Sequence, residues 1–312
     1  MRVLVSGGRG FLGRVLARHL TEQGHEVIVL VRDRADPGVP AGVTVVEADL
    51  TDRQAVDAAV TPLHVDALCH IAARTNVRES FEDPIGYYDV NVGGTQNLLR
   101  AVTAGGARPR VVFVSTCAVY GSGHAGALSE DLPAIPESPY AASKLAAEQL
   151  VAFLGDAGAI VGVTLRCFNI AGAYSGIVDP NPTRIISAAL RAAAGEIPHV
   201  SVNGDGSAVR EFTHVLDVAR AVGLALGIAR VGGPRLLNVG TGVGVSMMDV
   251  IRAAEKVTGR HIEVVHRPRV NEPAALVADV SRIRSALGWS PTGSALEDVL
   301  RATWEAGYGR GA

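Results

Sequence analysis

Tyr140 and Lys144 stand four residues apart in Ser-Pro-Tyr-Ala-Ala-Ser-Lys, residues 138–144. Pro139 suits the first turn of a helix, and on such a helix the phenol and the ammonium share a face. An ammonium beside a phenol favours the phenolate and lowers its pKa, giving a base that works near neutral pH. Chance is a poor explanation. Of 29 basic residues only Lys144 and Lys256 are lysine, and the chain has six tyrosines in 312 residues. Random placement of these predicts about 0.04 such pairs. Thr116 closes an apolar run, Val111–Val114 followed by Ser115, and its hydroxyl can both donate to and accept from a substrate oxygen. The chemistry these residues suit is proton transfer at a substrate hydroxyl or carbonyl.

The elements that must position them alternate between strand and helix. Val3–Val5 is a short apolar strand, followed by Gly7, Gly10 and Gly13 at spacings of three and by a helical pattern of Phe11, Leu12, Val15, Leu16 and Leu20. A strand, a glycine turn and a helix N-terminus in this order seat a dinucleotide pyrophosphate on backbone N–H groups and the helix dipole. Glu26–Val31 reads as a buried parallel strand. An acid at its end would hold the adenosine ribose of NAD, but the chain continues Val31-Arg32-Asp33-Arg34. Two readings stand: Arg32 meets a 2′-phosphate and favours NADP, or Asp33 takes the ribose and Arg32 is solvated. Val43–Glu47 leads into Asp49 and Leu50, where a carboxylate reaches the adenine amino group. Asp66–His70 leads into Ile71-Ala72-Ala73, small enough to pass close to a cofactor. A long helical pattern over 81–104 carries Asn91, and Val111–Val114 is a fifth strand. This alternation is the signature of an α/β doubly wound parallel sheet, the Rossmann arrangement.

Composition narrows the class. A net charge of −2 with mixed signs offers no surface for nucleic acid or membrane. Cys69, Cys117 and Cys167 lie in apolar segments and read as buried thiols, with no disulfide framework or metal spacing. The nine histidines form no ligand pattern. The N-terminus runs straight into a strand, unlike a signal peptide, and no uncharged run spans a bilayer. A cytoplasmic enzyme without metal is the expectation.

These motifs resemble the extended short-chain dehydrogenase/reductase superfamily, and within it the UDP-glucose 4-epimerase family. The resemblance rests on the glycine turn, Thr116, Tyr140 and Lys144. It continues through Tyr88-Asp89-Val90-Asn91-Val92-Gly93-Gly94-Thr95, Leu165-Arg166-Cys167-Phe168-Asn169, Val209-Arg210-Glu211-Phe212-Thr213-His214 and Leu287-Gly288-Trp289. It implies a dinucleotide-binding domain over 1–170 with a return segment near 209–240. A nucleotide-sugar lobe would then be built from 171–208 and 241–312. It implies that Asn169 and Asn181 contact the diphosphate and ribose of a nucleotide sugar, that Arg210 and Arg269 neutralise its phosphates, and that Leu276 faces the hexose. Ser115 joins Thr116 on the substrate, and helices near 81–104 and 139–155 pair in a homodimer. The implied activity is transient oxidation at sugar C4 with NAD and return of hydride to the other face. Cys117-Ala118 replaces the Asp-Glu of the related sugar dehydratases, so elimination of water lacks its proton donor. Arg32 keeps an NADPH-dependent 4-ketoreductase open as an alternative, and a non-catalytic dinucleotide sensor has no need of Thr116, Tyr140 and Lys144.

Overall fold

A computed structural model of the chain describes residues 1–34, 38–229, 233, 235–270 and 272–308. Seven parallel strands form the central sheet: β1 (Arg2–Ser6), β2 (Glu26–Val31), β3 (Thr44–Glu47), β4 (Ala67–His70), β5 (Arg110–Thr116), β6 (Val161–Cys167) and β7 (Leu236–Val239). Their spatial order is β7-β6-β5-β4-β1-β2-β3. The chain winds outward from β1 to β3, then crosses back to β4 on β1's other side. The carboxyl ends of β1 and β4 therefore form the switch point at which doubly wound sheets bind ligands.

Alternation along each strand feeds two cores. Val3, Val5, Val27, Val29, Cys69, Val112 and Val114 join α1 (Phe11–Glu22) and the helix Val215–Ile228 on one face. Leu4, Ile28, Leu68, Val111 and Phe113 pack on the other face against α2 (Arg53–Val60), α3 (Gly94–Val102) and α4 (Pro139–Asp156). Burial on both faces is why these strands read as unbroken apolar runs. A third core joins the helices Ile185–Ala193, Met247–Thr258 and Leu296–Tyr308 through Ile186, Leu190, Val250, Ile251, Val299 and Leu300. The chain then returns to the first core at Ala278–Trp289, where the buried Trp289 indole donates to the Asp217 carbonyl at 3.0 Å.

The stretch 81–104 departs from its sequence pattern. It is helical over Pro84–Tyr88, widens into a π-helical turn at Asp89–Gly93 and resumes as α3. Asn91 sits in that turn, 1% exposed. A π turn inserts one residue into the α repeat and carries a side chain to a different face. Here it delivers a polar side chain to the buried side, where partners wait for it.

Candidate active site

The glycine turn lies at the switch point. Gly7 has φ +71°, and a Cβ there would come within 2.7 Å of the Ala72 nitrogen. A Cβ on Gly13 would come within 2.1 Å of the Gly7 carbonyl oxygen. Only glycine at both positions lets turn, helix and β4 loop close together. Gly10 donates to the Gly7 carbonyl at 3.0 Å and opens α1. The first-turn amides of Phe11, Leu12 and Gly13 lack intrahelical acceptors. That is a seat for a pyrophosphate.

A buried chain of hydrogen bonds holds the facing loop. The Ser6 hydroxyl lies 2.6 Å from His70 Nδ1, His70 Nε2 lies 2.8 Å from Thr95 Oγ1, and Thr95 donates to the Asn91 carbonyl at 2.6 Å. Ser6 Oγ also accepts from the amides of Ile71 and Ala72, at 3.1 and 3.3 Å. The Asn91 side chain accepts from the Arg74 amide at 2.8 Å and donates to the Arg74 carbonyl and to Ser143 Oγ. The Asn91 amide thus fastens the loop Ala72–Ala73–Arg74 to α4.

At the adenosine end, Arg32 and Asp33 are exposed beyond β2. Asp49 Oδ1 accepts from the Thr51 amide at 2.9 Å and the Thr51 hydroxyl at 2.8 Å. Those bonds, with the Arg32 guanidinium nearby, hold its carboxyl below the usual range. Leu50 is buried and its carbonyl accepts from Asn97 at 2.9 Å.

Ser138 caps α4 by accepting from the Ala141 amide, and Pro139 follows in the first turn. The helix buries both Tyr140 and Lys144 against the sheet. Burial pushes the Tyr140 phenol up to about 12, opposed by the Thr116 hydroxyl and the Arg184 guanidinium. The expected lowering by Lys144 is not among the influences on this phenol, and burial draws the Lys144 ammonium itself down to about 8. The ammonium lies 4.1 Å from the centre of the Phe113 ring. Ser115, two residues along β5 from Phe113, has a buried hydroxyl without a partner. A buried ammonium on α4 and an orphaned hydroxyl at the sheet's carboxyl edge fit the hydroxyls of a dinucleotide ribose and a sugar. One turn along α4, Glu148 forms a buried pair with Arg166, Oε2 to Nη2 at 2.7 Å.

The substrate residues expected from the resemblance divide. The Asn169 amide donates to the Glu211 carbonyl at 3.0 Å. Arg210 and Leu276 are register partners in adjacent two-residue strands, so these residues are contiguous. Arg210 is largely buried, donating to the Val209 and Pro273 carbonyls and pairing with Glu272 at 2.8 Å. Arg269 is mostly exposed, 3.7 Å from Asp205. Asn181 spends its side-chain oxygen on Thr183, whereas Arg184, three residues on, is the residue within electrostatic reach of Tyr140. Arg184 donates to Asp179 at 2.7 Å and precedes the helix Ile185–Ala193. The sequence alone points to no role for the Ser6, His70 and Thr95 side chains, whose partners are distant in the chain, or for Arg184. Among the described residues no cluster could hold a metal ion, and no helix is long and apolar enough to cross a membrane.

The model of the NAD dependent epimerase/dehydratase family matches residues 3–240. A UDP-glucose 4-epimerase of Streptomyces lividans is 37% identical, over 97% of this chain and 95% of its own length. The UDP-glucose 4-epimerase of Brucella ovis in complex with NAD superposes with a TM-score of 0.90 at 34% identity, covering 96% of each chain. That of Stenotrophomonas maltophila, with bound NAD and formylated UDP-arabinopyranose, superposes with a TM-score of 0.89 at 34% identity. It covers 98% of this chain and 97% of its own.

Proposed function

The chain belongs to the NAD dependent epimerase/dehydratase family, and we propose that it interconverts UDP-glucose and UDP-galactose by oxidation and reduction at sugar C4. Membership bears out the resemblance to the extended short-chain dehydrogenase/reductase superfamily. The observation that carries the reading is Tyr140, buried next to Thr116 at the carboxyl edge of β5, with Lys144 one turn further along α4.

The glycine turn and the first-turn amides of α1 would hold the cofactor's pyrophosphate, and Lys144 would hold its nicotinamide ribose. NAD, when bound, supplies a hydride acceptor that later serves as donor. Thr116 and Ser115 orient the sugar oxygen. The phenolate of Tyr140 takes the proton from the 4-hydroxyl as the C4–H bond breaks, leaving a 4-keto sugar. The sugar turns about its diphosphate, held by Asn169, Arg184 and Arg210, and Tyr140 returns the proton to the C4 oxygen as hydride returns to the opposite face of C4. The protein's share is position and charge, not redox chemistry.

Supply of UDP-glucose without added cofactor, followed by chromatography of the sugar nucleotides, tests this. UDP-galactose is expected. The arginine at the end of β2 favours one second reading, a 4-ketoreductase, in which turnover appears only with NADPH and a 4-keto sugar nucleotide.

On this reading 1–170 with the return segment near 209–240 is the dinucleotide-binding domain, and 171–208 with 241–312 build the lobe over the sugar nucleotide. Val77, Phe81, Ile85 and Tyr88 are exposed on two short helices, and Phe153 is exposed on α4 against which those helices pack. This apolar surface supports a homodimer, and Ile85→Glu with Phe153→Glu turns it into a monomer by sedimentation. Reduced, buried cysteines and a UDP-sugar substrate support the cytoplasm as its place.

A further inference from the structure

Glu211 directly follows the short strand Val209–Arg210 and is fully buried. Its carboxylate gathers two segments that are remote in the chain. Oε2 accepts from the amides of Thr241 and Gly242 at 3.0 and 2.7 Å, and from the Thr241 hydroxyl at 3.1 Å. Both residues lie in the turn that leaves β7. Oε1 accepts from the Ala278 amide at 3.1 Å, two residues beyond Leu276. Only glycine fits at 240, where a Cβ would come within 2.0 Å of Oε1. Three amides donate here and none can accept, so the place is shaped for an ionised carboxylate. Burial pushes the carboxyl up from its ordinary value, and the same bonds oppose that rise.

The two segments are the flanks of Arg210. Val209–Arg210 is the central strand of a ribbon, with Val245–Ser246 on one side and Ala275–Leu276 on the other. Strands of two residues supply few ladder bonds of their own and do not hold a register unaided. Oε2 fixes the turn that leads into the first flank, and Oε1 fixes the segment that leaves the second. The Glu211 carbonyl also accepts from the Asn169 amide at 3.0 Å. Asn169 and Arg210, both given to the sugar diphosphate above, therefore meet at one residue.

Resting on that reading of Asn169 and Arg210, we propose that Glu211 is a positioning residue for the substrate: its carboxylate sets the ribbon that carries Arg210, and with it the affinity for the sugar nucleotide. Glutamine keeps the volume but offers a single acceptor. Turned either way, its NH₂ group meets a donor, Ala278 on one side or Thr241 and Gly242 on the other. One flank of Arg210 is released in each case.

Calorimetric titration with UDP and with NAD⁺, and initial rates with UDP-glucose, in wild type, Glu211→Gln and Thr241→Val, test this role. Glu211→Gln is expected to weaken UDP about tenfold, as loss of hydrogen bonds to a charged group does, and to raise KM by a like factor. Changes in kcat and in NAD⁺ affinity stay below about threefold, because the loss falls on binding shared by ground and transition states. Thr241→Val keeps the carboxylate and removes only the hydroxyl's bonds on the same turn, so UDP weakens about threefold. This variant carries the test if Glu211→Gln does not fold, and wild-type affinity for UDP in it then overturns the role. A Glu211→Gln protein that binds UDP as wild type does, and only unfolds at lower urea, makes the carboxylate structural and overturns it too. Equal weakening of UDP and NAD⁺ has the same consequence. Wild type that binds NAD⁺ but not UDP overturns the diphosphate reading itself.

Discussion

Ser6 and His70 face each other in the β1–β4 register, with hydroxyl and Nδ1 2.6 Å apart and both residues buried. Because Thr95 donates to the Asn91 carbonyl, its oxygen is left to accept, so His70 carries its proton on Nε2 and accepts from Ser6 at Nδ1. The ring is neutral and polarised in one direction. Through Ser6 it orders the amides of Ile71 and Ala72 that wall the dinucleotide cradle.

That neutrality makes stability depend on acid. Burial, seconded by the charge of Lys144, lowers the His70 pKa from 6.5 to about 3. Between those values the unfolded chain binds a proton that the folded chain refuses, so this contribution is whole above about pH 6.5 and falls as pH drops toward 3. The loss across the window is a few kcal/mol. Urea midpoints measured at pH 7 and pH 4.5 are expected to differ less in His70→Gln than in wild type. An equal drop in both would remove His70 from the account.

Tyr140→Phe is expected to keep its fold, since the ring packs edge-on against Tyr87 with centroids 6.4 Å apart and needs no hydroxyl for that contact. Loss of the proton acceptor lowers kcat about 10²–10⁴-fold. Bound sugar nucleotide is expected to remain within a few fold by calorimetry. A variant retaining most of its turnover would return the base role to another residue.

Thr116 and Arg184 oppose the burial that raises the Tyr140 phenol. Removing either is expected to raise it further. Since the reaction needs the phenolate, the rising limb of the pH–rate profile moves to higher pH in Thr116→Val and in Arg184→Ala. Activity measured only at pH 7 would mistake this for a loss of catalytic machinery; a profile displaced along the pH axis with its limiting rate kept distinguishes a shifted pKa from a missing group. A profile that falls uniformly without moving contradicts the electrostatic role.

What was legible in the sequence was local. Gly7, Gly10 and Gly13 announce their turn by spacing, and Tyr140 and Lys144 announce theirs by helical period and by the scarcity of lysine. The same logic reads 81–104 as one helix, because a π turn changes the repeat by a single residue and leaves no compositional mark. Asn181 comes from the family resemblance rather than from local pattern, and its side-chain bond to Thr183, two positions on, is a matter of loop conformation. The Ser6–His70–Thr95 chain joins positions 64 and 25 residues apart, and only the sheet register brings them together.

Glu148 and Arg166 supply the last test, one of energetics. Both are almost fully buried, yet Arg166 Nη1 has no partner while its guanidinium lies 4.7 Å from the Tyr120 ring centre. Nε and Nη2 both donate to the Glu148 carboxylate, yet desolvating two charges costs more than a pairing that leaves Nη1 unbonded returns. Glu148→Gln strands the arginine, Arg166→Met strands the carboxylate, and each is expected to lose about 3–5 kcal/mol. Glu148→Leu with Arg166→Met removes both charges and is expected to unfold at a urea concentration near or above wild type. Its activity is a separate matter, because the Glu148 carboxylate also supports the Lys144 ammonium one turn away. Without it, Lys144 is expected to lose its proton at lower pH, so the double variant loses turnover and the cofactor's ribose anchor as pH rises through 7, while its fold persists. If the two single losses simply add in the double variant, the pair is not the coupled buried unit its geometry describes.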